Sequence, residues 1–191
     1  MKILSCTLML ILLSGCTTNN SIIEKYINDN FYNVQSLQII EVAEPDSAYS
    51  PYRQLLSLDY FYNAATTKML MYSVQAFEEK NKKKAVLLLD SALSIYDSIS
   101  NQYDSITHKC FLAVDFPNIN TNPKNRRFIN AKYRINGKLE EQRFYFNENE
   151  NKIGHCENDI KKAAQKLLQS MEKLDNEREK VQKDKKIYTL K

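Results

Sequence analysis

The chain has 191 residues, with 27 Lys and Arg against 23 Asp and Glu, which gives a formal net charge of +4. This charge is too small to indicate a nucleic-acid-binding surface. Gly is scarce, since only Gly137 and Gly154 occur after residue 15, so the glycine-rich loops that bind nucleotide phosphates cannot be built. The composition therefore argues against nucleic-acid-binding proteins and nucleotide enzymes.

Residues 1–15 have the pattern of a secretion signal. Lys2 supplies a positive charge, and residues 3–13 form an apolar run that is too short to span a membrane. The motif Leu13-Ser14-Gly15-Cys16 ends this segment and resembles the lipobox of bacterial lipoproteins. The resemblance implies that Cys16 becomes the acylated N-terminus of the mature protein, with palmitate-type chains in the membrane. The alternatives are an ordinary signal peptide and a first core helix.

The same resemblance implies a lipid-anchored protein of the bacterial cell envelope. Thr17, rather than Asp, follows Cys16, which by analogy with lipoprotein sorting favours the outer membrane, on its periplasmic or its outer side. We expect residues 16–20 to form a short tether, which reaches at most about 3.5 Å per residue and keeps the folded part near the bilayer. Residues 21–186 would then form a single domain, and residues 187–191 a C-terminal tail.

The first elements are predicted from capping and periodicity. Ser21 and Glu24 have capping-box spacing, which predicts a short helix ending near Asn30. The β-rich segment 34–42 predicts a strand, bounded by a turn at Pro45. Ser50-Pro51 has the pattern of an N-cap followed by Pro at the first helical position. Apolar residues then recur at spacings of three and four, which predicts a long helix: Leu55, Leu58, Tyr62, Ala65, Met69, Tyr72 and Ala76.

A charged break at residues 78–84 separates this helix from a second one with the same spacing, which would fold back as an αα-hairpin. One continuous helix over both segments is the alternative. Asp90, Asp97 and Asp104 recur every seven residues on the second helix. They form either an acidic binding stripe or, as is more usual for such rows, a solvated face.

The second half predicts a small antiparallel sheet. Residues 110–116 are apolar and end at a Pro, which indicates a strand, and residues 118–125 indicate a loop. Asn136-Gly137 between two alternating segments predicts a type I′ hairpin. Counting from that turn gives five pairs: Ile135 with Lys138, Lys132 with Glu141, Asn130 with Arg143, Ile129 with Phe144, and Phe128 with Tyr145. The core face would carry Ile129, Ala131, Tyr133 and Ile135 beside Phe144 and Phe146.

Residues 152–155 predict a short strand and residues 158–185 a long helix with an apolar stripe. The elements together predict an α+β fold. Its small, mostly antiparallel sheet of about four strands would pack against the αα-hairpin and the C-terminal helix. This order of elements resembles small bacterial envelope lipoproteins of unassigned function.

Four residues could bind a metal ion, because each of the two His lies beside a Cys. His108 is two residues before Cys110, and His155 directly precedes Cys156. Adjacent residues on a strand point to opposite faces, which disfavours a shared metal ion. Cys110 and Cys156 could instead form a disulfide in an exported protein, or remain two buried thiols. No cofactor is indicated.

Catalytic motifs are weak. Residues 170–173 match S-x-x-K of penicillin-recognising enzymes, but the companion motifs S-D-N and K-T-G are absent. Twelve Tyr and eight Phe occur without Trp. Several of them, including Tyr49, Tyr52, Tyr60, Tyr62 and the predicted Phe128–Tyr145 pair, are either exposed protein contacts or covered by the first helix or the N-terminal strand.

The leading functional hypothesis is therefore a non-catalytic, lipid-anchored module that binds another envelope protein, as an accessory part of an envelope assembly. An immunity or inhibitor lipoprotein acting against a periplasmic toxin or hydrolase is the alternative. A hydrolase or metal enzyme centred on His108 and His155 is a third hypothesis. The expected partners are the membrane, through Cys16, and an envelope protein, with no nucleic acid.

Overall fold

The computed structural model describes residues 19–117 and 125–190. The predicted signal segment, Cys16 and residues 118–124 of the loop predicted at 118–125 lie outside the described residues. The chain divides into two compact units, and the predicted single domain contains both. The sheet unit comprises the described residues of Met1–Ser50 and Asn120–Asp159, and the helical unit those of Pro51–Ile119 and Ile160–Lys191.

The sheet unit contains one described helix and five strands. Helix α1 covers residues 19–30. The strands are β1 (Leu37–Val42), β2 (Asp46–Ala48), β3 (Arg126–Ile135), β4 (Lys138–Phe146) and β5 (Ile153–Cys156). Their order is β1-β3-β4-β5, with β2 also paired to β3, and every pairing is antiparallel.

The β3–β4 hairpin has the predicted turn and register. Asn136 and Gly137 have φ values of 50° and 83°, the positive pair that a type I′ turn requires. The Asn136 side chain also fixes the approach to β1, because its Oδ1 accepts from the backbone N–H of Gln35 at 2.8 Å and its Nδ2 donates to Asn33 O at 2.7 Å. All five predicted cross-strand pairs are present.

One face of the sheet and α1 share a core. Ile23, Tyr26 and Ile27 of α1 pack with the predicted core face of the hairpin, and Ile135 is half-buried at its edge. Gln142 is polar but lies on this same face, where its amide donates to the Tyr133 hydroxyl. Within the described residues the Gln142 Oε1 is buried without a hydrogen-bond partner, so this hydrogen bond offsets only part of the cost of burying the amide.

The helical unit contains three long helices: α2 (Tyr52–Glu78), α3 (Lys82–Asp115) and α4 (Glu157–Leu190), of which α4 belongs to this unit from Ile160. Asn81 caps α3, because its Oδ1 accepts from the N–H groups of Lys83 and Lys84. The predicted break between α2 and α3 is confirmed, and the single continuous helix is excluded. The predicted α+β class is confirmed as well, with its antiparallel sheet, αα-hairpin and long C-terminal helix.

The strand predicted at 110–116 is wrong, because α3 runs to Asp115. Thr107, Cys110 and Ala113 are buried at a spacing of three residues, so the apolar stripe of the helix continues through this segment. The apolar run covers only about two helical turns, and over so short a segment the pattern of a buried helix resembles that of a strand. Pro117, just beyond the helix, is consistent with the stop.

Element ends differ at three further places. Pro51 rather than Ser50 caps α2, with no side-chain hydrogen bond to the helix. Residues 46–48, next to the predicted turn, pair with β3 as β2. Helix α4 continues to Leu190, so the predicted tail is helical through residue 190, and α1 already includes residues 19 and 20 of the predicted tether.

Candidate functional site

Helix α2 is apolar on two opposite sides. Its buried side carries the predicted stripe except for half-buried Tyr72: Leu55, Leu58, Tyr62, Ala65, Met69 and Ala76. With 3.6 residues per turn, a second set of apolar residues projects on the opposite side. We call this second set the α2 face: Leu56, Tyr60, Leu70, Met71 and Val74, which are 41, 69, 51, 57 and 49% exposed.

The α2 face is nearly free of charge. From Tyr60 to Phe77, Lys68 is the one charged residue in the sequence. A helix on the surface of a protein ordinarily carries polar residues opposite its buried stripe. A helix side that carries several large exposed apolar residues is a candidate interaction surface.

A shallow groove of about 420 Å³ lies beside the α2 face, between α2 and α3. Phe61 forms one wall and stacks on Tyr103 of α3, with ring centroids 5.1 Å apart. The rest of the lining combines small side chains with larger ones: Ala64, Ala65, Ser94, Ser98, Lys68, Ile95 and Ile99. The groove can therefore take a protruding side chain of a molecule that covers the α2 face.

A polar cleft of about 320 Å³ lies elsewhere in the helical unit, among α2, α3 and α4. Tyr62 donates to Asp104 at 3.3 Å, and Tyr96 donates to Asp175 at 2.8 Å. Burial raises the pKa of Tyr62, and the hydrogen bond to Asp175 raises that of Tyr96. Both phenols thus remain hydrogen-bond donors, and the cleft is a network that holds the three helices together. His108 also lines this cleft and is exposed.

The three Asp residues of the predicted stripe have different surroundings. Asp104 belongs to the cleft, and Asp90 pairs with Lys185 of α4 at 2.5 Å. Asp97 is exposed. Two of the three thus bind other helices, and the row does not act as one binding stripe.

The S-x-x-K match is a structural cluster. Ser170 is 3% exposed, donates to Asp59 and accepts from Asn63 Nδ2 at 2.8 Å. Lys173 is exposed. The Ser hydroxyl is engaged by an acid and an amide of α2, so it lacks the surroundings of a nucleophile activated by Lys.

The four candidate metal ligands are divided between the units. His108 and Cys110 belong to the helical unit, and His155 and Cys156 to the sheet unit. Among residues 19–117 and 125–190, no group of three or more His, Cys, Asp or Glu side chains could hold a metal ion.

Cys110 and Cys156 are two buried thiols in the structure, which is the second of the two alternatives for this pair. The Cys110 thiol donates to Gln54 Oε1 at 3.6 Å. Burial, with a further contribution from Asp159, raises the pKa of Cys156 to about 12. A thiol with so high a pKa is a poor nucleophile and metal ligand at neutral pH.

His155 contacts a residue that the sequence did not connect with it. Its Nε2 lies 2.6 Å from Ser50 Oγ, and its ring stacks on Tyr145 with centroids 4.9 Å apart. Ser–His contact is one part of a nucleophilic site, but His155 is only 6% exposed and its ring is covered by Tyr145. We interpret the pair as a buried contact that ties the end of the N-terminal segment to β5.

The predicted aromatic contacts are resolved case by case. Phe128 and Tyr145 pair as expected and are 4 and 1% exposed, so they are covered and are not exposed protein contacts. Neither belongs to the core that α1 shares with the sheet. Tyr49 and Tyr62 are buried as well, whereas Tyr60 is exposed on the α2 face. No local signal distinguishes these residues, because burial depends on the tertiary fold.

Within the part of the chain that the structure describes, no helix is both long enough and apolar enough to cross a membrane. Comparisons with protein-family models, with curated proteins and with solved structures found no match to this chain.

Proposed function

We propose that the protein is a non-catalytic, lipid-anchored module of the bacterial envelope that binds another envelope protein through the α2 face. The observation that carries this proposal is the second apolar side of α2, with five large side chains exposed by 41 to 69%. The lipobox-like motif ending at Cys16 supports the location. The site chemistry supports binding rather than catalysis, since Ser170, Cys156 and His155 are each buried in structural contacts.

The α2 face has the features of a binding surface. Fully burying an exposed Leu, Val or Met side chain contributes about 1.5–3 kcal/mol, and these residues are half exposed, so each would contribute about 1 kcal/mol. A few such side chains near the centre of an interface carry most of its affinity. The lack of charge means that the partner surface must itself be apolar, because a charged group buried there would remain unpaired.

Site-specific crosslinking in cells tests the proposal. A photoreactive residue replaces Met71 on the α2 face or, as the control, Lys173, which is exposed on α4. We expect Met71 to give an adduct with one envelope protein and Lys173 to give none. The adduct should disappear when Val74→Asp is added, a change at a half-exposed position that leaves the buried stripe of α2 intact.

The outcome also separates the hypotheses. An incoming toxin or hydrolase as the adduct would select the immunity protein instead, and an adduct between two copies of the chain would replace the partner by self-association. If Met71 and Lys173 give the same products, the proposal fails.

A Cys16→Ala variant tests the lipid anchor. We expect this variant to appear in the soluble fraction after signal processing, and its retention in the membrane would contradict the anchor.

A further inference from the structure

Two segments from opposite halves of the chain meet at one end of the helical unit. The Tyr188 hydroxyl of α4 donates to the carbonyl of Ala76 in α2 at 3.4 Å. Ile187 and Tyr188 also line one cavity of about 300 Å³ together with Phe77 and Lys82. We call residues 77–87 and 183–190 the basic tip, because the turn of the αα-hairpin and the last turns of α4 lie side by side there.

The basic tip is rich in Lys. It contains seven Lys residues, namely Lys80, Lys82, Lys83, Lys84, Lys183, Lys185 and Lys186, against three acidic residues, Glu78, Glu79 and Asp184. All of the Lys except half-buried Lys185 are exposed. Lys185 is paired with Asp90. The remaining lysines surround the tip with positive charge and would attract an anionic surface.

Apolar side chains project from the same tip. Phe77, Leu87, Ile187 and Leu190 are 82, 64, 51 and 86% exposed. Phe77 and Leu190 are the most exposed of these, and each stands next to charged residues in the sequence. Phe77 is followed by Glu78 and Glu79, but the tip as a whole carries more Lys than acidic residues. Exposed apolar residues together with an excess of Lys are typical of a surface that inserts at the boundary between lipid headgroups and acyl chains.

A nucleic acid would be a different anionic partner, but the tip does not have its usual binding features. Proteins that bind single strands combine positive charge with aromatic platforms for the bases. Of the four exposed apolar residues at the tip, only Phe77 is aromatic, and three are aliphatic. Transfer of aliphatic side chains from water to hydrocarbon is favourable, so these residues favour a bilayer as the partner.

We propose that the basic tip binds the surface of an anionic phospholipid bilayer, with Phe77 and Leu190 inserted among the headgroups and the Lys residues on lipid phosphates. Each Lys near such a surface strengthens partitioning about fivefold at low salt. Neutralising the four Lys of the hairpin turn should therefore weaken binding well over tenfold. The proposal rests on the folded helical unit and does not require acylation of Cys16.

The chain has no Trp, so a single introduced Trp reports its own surroundings by fluorescence. The full-length chain with Phe77→Trp is mixed with vesicles of phosphatidylcholine alone or with 30% phosphatidylglycerol. We expect a blue shift with the anionic vesicles only, and a loss of the shift as salt is raised. Adding Lys80→Gln, Lys82→Gln, Lys83→Gln and Lys84→Gln should weaken partitioning at least tenfold, with the circular dichroism unchanged.

Tyr60→Trp is the matched control. Tyr60 is also exposed on α2 but lies seventeen residues before Phe77, roughly 25 Å along the helix. It should show no shift, and the apolar segment before Cys16 is the same in both proteins. Equal shifts at both positions would mean that α2 lies flat on the lipid, and would overturn the proposal. No shift at Phe77→Trp, or a shift independent of lipid charge and salt, would also overturn it. The crosslinking at Met71 can succeed or fail independently of this result.

Discussion

Replacing Gly137 by Ala isolates the effect of backbone conformation in the β3–β4 hairpin. Gly137 has φ of 83°, and a Cβ added there would meet no atom within 4 Å. Ala at this position therefore causes no steric clash, but it must adopt a left-handed conformation that costs roughly 1–2 kcal/mol. Ala also restricts the unfolded chain more than Gly does, and this loss of entropy in the unfolded state offsets part of the cost. We expect a net loss of about 1 kcal/mol in the free energy of unfolding.

Urea denaturation measures the loss, and Gly137→Asn is the control. Asn tolerates positive φ, as Asn136 does in the same turn with φ of 50°. Gly137→Asn should therefore remain within a few tenths of a kcal/mol of the original protein. If Ala and Asn destabilise equally, the positive φ is not the cause. If neither has an effect, the turn is not type I′ and the register of β3 with β4 is wrong.

Three further predictions concern buried polar groups. Ser170→Ala should lower the free energy of unfolding by about 1–2 kcal/mol, because Asp59 loses a hydrogen-bond donor. Lys173→Ala should leave that free energy unchanged in the same urea titration. A larger loss for Lys173→Ala than for Ser170→Ala would restore a role for the Lys. The pKa of Cys156 is about 12 in the folded protein against 9.0 for an ordinary thiol. The contribution of the neutral thiol to stability is therefore complete below pH 9 and decreases as the pH rises towards 12. Between pH 8 and 11 the melting temperature of Cys156→Ala should fall less steeply than that of the original protein. Cys110 and Cys156 should react with a thiol reagent at pH 8 only after unfolding, as followed by peptide mapping because the chain also contains Cys6 and Cys16. A fast reaction at Cys110 or Cys156 in the native protein would contradict its burial.

Local signals predicted the parts of the fold that depend on neighbouring residues. The hairpin register followed from Asn136-Gly137, because the turn fixes every pair that comes after it. The α2–α3 break followed from a charged segment between two helical stripes. The strand predicted at 110–116 failed because an apolar run of that length fits a strand as well as a buried helix.

The candidate sites were harder to predict because they depend on contacts across the sequence. Ser50 was interpreted as a helix cap, whereas its hydroxyl contacts His155, which is 105 positions away. The α2 face was missed for another reason. Periodicity identified one apolar stripe, and of the α2 face only Tyr60 was named as a candidate protein contact.

The basic tip could not be predicted from the sequence, because it forms only where the fold brings two separate segments together. Read alone, residues 78–84 are a charged break, and residues 183–190 are the end of a long helix followed by a C-terminal tail. Because Tyr188 meets Ala76, their lysines gather at one end of the helical unit. With Lys185 paired to Asp90, the other six Lys of the tip still outnumber its three acidic residues. This local excess of positive charge, to which both segments contribute, would attract an anionic surface to this end of the helical unit.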